Sequence, residues 1–173
     1  MKYAYILYLA LCLIGLGTRT TYEILKKKEK VDTKNATIFA IVFVGMILML
    51  ASWILMCPVD PWRVLYHGVV RGIGLTALIV GFGLAVAGII QLRGLENIDH
   101  LVTNGLFAKI RHPMYTGFIL WISGWVIYYG ALLSLIIGIV CIGNILYWRR
   151  LEESKLVAIY GDTYLTYGKR TWF

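Results

Sequence analysis

Apolar residues in this chain are gathered into long uncharged runs; they neither alternate with polar ones nor recur every three or four positions. Runs of that kind match the roughly 20 residues that an α-helix needs to cross a bilayer core. Five spans are predicted, at about Tyr3 to Thr18, Ala36 to Cys57, Gly72 to Ile90, Met114 to Tyr129 and Ala131 to Trp148. The last two, with Pro113, belong to one uncharged stretch of 36 residues. That is too long for one ordinary crossing, so Tyr128, Tyr129 and Gly130 are expected to form an interfacial turn that folds residues 114–148 into a helical hairpin. The fold class expected is all-α, an integral membrane bundle of about five transmembrane helices in a single domain over residues 1–173. After Trp148 the pattern changes to charged residues, Arg149, Arg150, Glu152 and Glu153 among them, which open a helix continuing to about Tyr160 and stopped by Gly161.

Composition sharpens this picture. The chain is 60% hydrophobic and 15% charged, against about 25% charged in soluble domains. The first run follows a single Lys2 and lacks an obvious small-x-small cleavage site, so it is expected to be a retained helix and not a signal peptide. Cys12, Cys57 and Cys141 lie far apart in or beside apolar runs, which points to buried small side chains, not to a metal cluster or a disulfide framework. No metal site is expected.

Charge placement sets an orientation. Of 17 Lys and Arg residues, 14 fall in the connections after the first and third spans and in the C-terminal tail, while Lys2, Arg63 and Arg71 fall on the other side. Basic residues near span ends are retained in the cytoplasm. The expectation is a multi-pass protein of the cell membrane with its N-terminus outside and its C-terminal helix cytoplasmic. The net charge of +8 is expected to meet anionic lipid headgroups and not nucleic acid, because the basic residues flank apolar spans. Gly81, Gly83 and Gly88, with Ala85 and Ala87, allow close helix packing, or alternatively room for a ligand. Oligomeric state is left open.

Two polar constellations carry candidate chemistry. The 22-residue connection that ends at Pro113 holds Glu96, Asp99, His100, Asn104 and Gly105, then Arg111 and His112. Proline suits the first position of a helix, since its missing N–H would be unbonded there anyway. A helix start flanked by Arg111 and His112 suits a carboxylate or phosphate; a basic surface anchor accounts for the same residues. The second constellation is the pair Glu152 and Glu153, emerging directly from a span, with Arg149 four residues before Glu153.

At these residues the chain resembles a known family. Leu101-Val102-Thr103-Asn104-Gly105-Leu106-Phe107 followed by Arg111-His112-Pro113-Met114-Tyr115, and Glu152-Glu153-x-x-Leu156 followed by Tyr160-Gly161-x-x-Tyr164-x-x-Tyr167, are similar in order and spacing to the two signatures of the isoprenylcysteine carboxyl methyltransferase and phospholipid methyltransferase superfamily. The resemblance covers roughly Gly81 to Gly168. It implies S-adenosylmethionine as cofactor, with S-adenosylhomocysteine as product, bound between residues 91–115 and 149–168. It also implies a lipophilic acceptor drawn from the bilayer, most like an isoprenylcysteine carboxylate. By the same resemblance His112 and Tyr115 contact the cofactor, Gly105 and Leu106 bring backbone near it, and Glu152 or Glu153 holds its ammonium group. Arg111 or Arg150 meets a carboxylate, and Arg150 and Glu153 are the candidate catalytic residues. Two other readings fit the same motifs: a sterol-type membrane reductase using NADPH, and a non-catalytic membrane scaffold.

Overall fold

A computed structural model describes residues 2–32, 35–64, 68–92 and 100–173. Six α-helices account for most of them: α1 (Lys2–Lys27), α2 (Ala36–Met56), α3 (Gly68–Leu92), α4 (Pro113–Tyr129), α5 (Leu132–Tyr160) and α6 (Asp162–Arg170), with short 3-10 turns at Cys57–Val59 and Gly105–Ala108. Among the described residues four helices are at least 18 residues long and apolar enough to cross a membrane, namely α1, α2 with its 3-10 extension, α3 and α5. The fifth, α4, is as apolar but has 17 residues, which still reaches about 25 Å at 1.5 Å per residue. The protein is an all-α integral membrane bundle. Its outward faces are consistent with lipid as solvent, since Ile6, Ile14, Val44, Ile79 and Ile139 are all more than half exposed.

The helices run further than the uncharged runs do. Helix α1 continues past Thr18 to Lys27 because Arg19 and Glu23, four apart on one face, form an ion pair of 2.6 Å along it. It ends where Glu29 turns left-handed at φ 54. There Lys30 N–H donates to Leu25 O at 3.0 Å and Glu29 N–H to Lys26 O at 3.1 Å, which satisfies the last carbonyls of the helix. Helix α2 starts on Asn35, whose side chain accepts from the N–H groups of Thr37 and Ile38. The hairpin turn falls at Gly130, left-handed at φ 63, and α5 runs unbroken to Tyr160 before Gly161 at φ 52.

Glycine decides how α3 meets α4. Gly74, Gly81 and Gly88 recur every seventh residue, and a Cβ at Gly81 would come within 2.6 Å of Gly117 O and Trp121 N. A Cβ at Gly117 would in turn approach Ala85 N at 2.5 Å, and one at Gly124 would approach Leu78 N at 2.5 Å. The backbones are therefore in contact, as small-residue faces allow in lipid. Gly83 meets nothing within 4 Å. Of the two uses open to this face, the structure takes packing.

At the far end of the hairpin, Asp60 from the α2–α3 connection is buried and caps α5. Its Oδ2 accepts from Ser134 N–H and Ser134 Oγ–H, both at 2.7 Å. Its Oδ1 accepts from Trp62 N–H at 2.8 Å. Arg63 and Arg71 lie over the rings of Tyr129 and Tyr128 at this end. The other described basic residues except Lys2 gather at the opposite end, with Gln91, His112, Glu152 and α6. The charge division expected from the sequence is thus a division between the two ends of one bundle.

Gly117→Ala is expected to lower the melting temperature of the detergent-purified protein by overpacking, at a cost of about 1–3 kcal/mol, whereas Gly83→Ala leaves it within experimental error. A thermal-shift comparison of the two variants checks this.

Candidate functional site

Four segments converge at the basic end of the bundle: the end of α3, the connection through residues 100–112, the start of α4, and the charged extension of α5 with α6 folded back against it. The uncharged part of α5 stops at Trp148, so the extension and α6 lie beyond the apolar span. Between the segments is a narrow cleft that opens to solvent and encloses about 50 Å³. His112, Tyr115, Glu152 and Tyr164 contribute its polar groups, and Leu101, Val102, Phe107, Met114 and Leu156 give it apolar walls.

Glu153 holds the segments together. Its Oε1 accepts from Arg111 Nη1–H at 2.9 Å, lies 3.2 Å from His112 Nε2, and accepts from Arg149 Nε–H and Nη2–H at 3.3 Å. The hydrogen bond from His112, aided by the charges of Arg149 and Arg111 and opposed by burial, holds the Glu153 carboxyl down at about 2. An ionised carboxylate is an acceptor only, so the proton of this pair sits on His112 Nε2. Arg111 is spent in the same way. Besides Glu153, its guanidinium donates to Gly168 O at 3.0 Å and to Thr171 Oγ1 at 3.4 Å. Its backbone N–H donates to Trp172 O at 2.9 Å, and Trp172 N–H returns a bond to Lys109 O at 2.8 Å. Tyr167 adds a bond from its hydroxyl to Phe107 O at 2.7 Å, and Arg149 stacks on the ring of Phe173. The tail is thereby fixed across the entrance to α4.

The two glutamates consequently have different surroundings. Adjacent residues on a helix point about 100° apart, so Glu153 faces Arg111 while Glu152 lines the cleft and lies within reach of the Tyr115 hydroxyl. The rings of His112 and Tyr115 stack at 5.6 Å. Tyr164 brings a buried hydroxyl with no hydrogen-bond partner. Burial, with the carboxylates of Glu153 and Glu152 nearby, pushes that hydroxyl's pKa well up, so it stays protonated and able to donate. An orphaned donor in the wall of a cleft is an incomplete arrangement that a polar ligand completes.

The residues singled out from the sequence are distributed unevenly. His112, Tyr115, Glu152 and Arg111 line the cleft. Gly105 and Leu106 do not. Gly105 is left-handed at φ 55, and the side chain of Gln91 binds this turn, accepting from Leu106 N–H at 3.0 Å and donating to Asn104 O at 2.6 Å. Their effect is to aim Phe107 at the cleft. Arg150 is exposed and outside the cleft wall, because it sits about 200° around α5 from Glu152. Glu96 and Asp99 lie outside the described residues. The roles of Gln91 in bracing the turn and of Arg149 beside Glu153 were not assigned to the cleft from sequence; only the i,i+4 spacing of Arg149 signalled its pairing.

Because the folded carboxyl of Glu153 titrates near 2 against an ordinary value of 4.5, its pairing stabilises the protein fully above pH 4.5 and is lost as pH falls from there through 2. The loss amounts to on the order of 3 kcal/mol. Glu153→Gln is expected to lower the melting temperature at pH 7 and to flatten its decline between pH 4.5 and 2. Thermal unfolding across that range measures both effects.

Comparison with known proteins bears on the same segments. A family model described as phospholipid methyltransferase matches residues 69–163, more than half of the chain, from the start of α3 to the start of α6. The protein-S-isoprenylcysteine O-methyltransferase of Schizosaccharomyces pombe is 37% identical over 77 residues, which cover 43% of this chain and 33% of that protein. The match thus spans about a third of the relative's length. No solved structure matches the chain. With the matched region containing the glycine-packed helix pair, the hairpin and the cleft they support, the chain belongs to the phospholipid methyltransferase family.

Proposed function

We propose that this protein transfers a methyl group from S-adenosylmethionine to a lipophilic acceptor, a reaction most like isoprenylcysteine carboxyl methylation, at the cytoplasmic face of the cell membrane. The observation that carries the reading is the cleft itself, where Glu152, the unpartnered Tyr164 hydroxyl and the His112–Tyr115 stack share one cavity with apolar walls. A carboxylate suits the cofactor's ammonium group, a buried donor suits one of its polar edges, and apolar walls suit its nucleoside. The 14 basic residues placed on one side by sequence support the cytoplasmic assignment.

Residues divide the work as follows. Glu152 holds the ammonium, while His112 and Tyr115 contact the cofactor, His112 being kept in one orientation by Glu153. Arg111 and Glu153 act as a positioning pair that fixes the tail over the cleft, and Gly105 and Leu106 shape its far wall through Phe107. Arg150, exposed where α5 leaves its apolar span, meets the charged end of the acceptor as it approaches. The chemistry the cofactor supplies when bound is a methyl group already activated on a sulfonium. The chain's own residues need only hold donor and acceptor in line and keep water away. A carboxylate acceptor requires no proton removal. That agrees with a Glu153 held far below the range of a general base. A carboxylate in the cleft wall also favours this cofactor over NADPH, whose 2′-phosphate it would repel.

Calorimetric titration of the detergent-purified chain tests the reading. Saturable binding of S-adenosylmethionine and S-adenosylhomocysteine is expected, weakened about tenfold or more by His112→Ala and by Glu152→Gln. A folded wild-type protein that binds neither compound would sink the proposal.

A further inference from the structure

The cleft encloses about 50 Å³, well below the roughly 300–1,000 Å³ usual for small-molecule sites. A nucleoside-bearing cofactor therefore enters it only if a wall moves. A second space lies on the other side of one of those walls. This groove is open to solvent, measures about 580 Å³, and is bounded by Thr103 and Ala108 around the 3-10 turn and by Asp162, Thr166 and Arg170 on α6. Tyr167 lines both spaces. The turn divides in the same way, with Phe107 lining the cleft and Ala108 the groove. Across the join the Tyr167 hydroxyl donates to Phe107 O at 2.7 Å. Tyr167 is thus a shared wall, held shut by one hydrogen bond.

The other described walls are poorly placed to move. Helices α3 and α4 touch backbone to backbone at Gly81 and Gly117, α5 is one unbroken helix from Leu132 to Tyr160, and Gln91 braces the turn at Asn104 and Leu106. Helix α6 has nine residues, of which Tyr164 and Tyr167 are buried, and so small a buried face belongs to the low-stability end of a fold. Both ends of α6 are pinned. At its start Gly161 has φ 52 and ψ −129, a conformation open to glycine, and a Cβ there would meet nothing within 4 Å. Just past its end Trp172 exchanges backbone bonds with Lys109 and Arg111. Between these points the bond from Arg111 Nη2–H to Gly168 O, 3.0 Å, comes from a long side chain that follows a small rotation. A helix pinned at both ends turns about its own axis. Tyr164 and Tyr167, three apart on one face, then swing together.

We propose that Tyr167 is a gate and the groove a vestibule: α6 turns, the Tyr167 hydroxyl leaves Phe107 O, and cleft and groove join into one passage for the methyl donor and its product. The inference rests on the methyltransferase reading above and adds the route by which the cofactor reaches Glu152. The lining of the vestibule suits that cofactor. Asp162 attracts its ammonium and sulfonium charges, Arg170 its carboxylate, and the threonine hydroxyls its ribose. When the hydroxyl returns to Phe107 O the cleft is closed to water during transfer.

The test uses the full chain in detergent, with Tyr167→Phe, which keeps the ring and deletes the catch, and Leu156→Cys as a reporter in the cleft wall. Cys12, Cys57 and Cys141 are buried and give a low background. Loss of one hydrogen bond is expected to raise the open fraction about fivefold. An adenosine-sized maleimide is then expected to label Leu156→Cys about fivefold faster in the presence of Tyr167→Phe, and S-adenosylhomocysteine to protect the thiol. In stopped-flow tryptophan fluorescence, association and dissociation of S-adenosylhomocysteine are both expected to quicken about fivefold, with Kd unchanged within about twofold. Labelling and both rates within about twofold of the parent, or a raised Kd with labelling unchanged, would make Tyr167 a static wall and overturn the proposal. Should Tyr167→Phe not fold, Leu156→Cys alone decides: labelling by the maleimide supports the gate, and a thiol reached by a small methanethiosulfonate but never by the maleimide overturns it. A wild type that binds neither S-adenosylmethionine nor S-adenosylhomocysteine, while Tyr167→Phe still accelerates labelling, would overturn the methyl-transfer reading and leave the gate standing.

Discussion

One oxygen atom, Glu153 Oε1, is the point on which the basic end of this bundle depends. Three side chains from two segments converge on it: Arg111 and His112 from the entrance of α4, and Arg149 from its own helix. Partial burial makes each contact stronger than it would be in water, and three cationic or polar partners offset the desolvation of the carboxylate. Because Arg111 also binds Gly168 and Thr171, the cluster fixes the tail as well. Without it, the segments forming the cleft would be joined chiefly by the Tyr167–Phe107 bond and the backbone bridge at Trp172.

That fixed end requires an equally fixed frame, and the frame comes from glycine. In lipid there is little hydrophobic gain from joining two apolar helices, so association relies on close packing. The seven-residue recurrence of Gly74, Gly81 and Gly88 against Gly117 and Gly124 allows α3 and α4 to touch along their backbones. At the lower end of this contact Gly88 packs on Pro113 and Met114. The same seam that holds the bundle therefore sets where α4 begins, and with it the positions of His112 and Tyr115. Asp60, buried at the far end on the first turn of α5, fixes the partner helix that carries Glu152 and Glu153.

The helical pair α1 and α2 completes the arrangement from the other side. Gly15 and Gly45 bring these two helices together, and Thr20, Trp148 and Asn144 attach α1 to α5. Among the described residues the buried charged groups are thus concentrated in two layers, Asp60 with Ser134 at one end and the Arg19 and Glu153 clusters at the other, with largely apolar packing between. This is the distribution a bilayer imposes, because polar groups at mid-depth cost several kcal/mol unless paired.

Much of this was legible in the sequence, since the signals are one-dimensional. The uncharged runs define the membrane helices, Gly130 and Gly161 mark turns that need left-handed or unusual backbone, Pro113 marks a helix start, and the spacing of Arg149 and Glu153 predicts their pairing. The cleft-forming segments were recognisable from the order of two short motifs. Tertiary structure decided the rest. Only the folded chain shows that Glu152 and Glu153 part company, that Arg111 binds the tail 60 residues away, that Arg150 faces away from the cleft and that Gly105 serves a turn braced by Gln91. It also continued α1 beyond its uncharged run and buried Arg19 and Glu23, residues that read along the chain as ordinary surface charge. The physical reason is common to all of them: hydropathy and helix period fix which residues form an element and where it ends. Which partner a charged side chain finds depends on the angle at which separate helices meet, and that angle is set by packing between residues far apart in the chain.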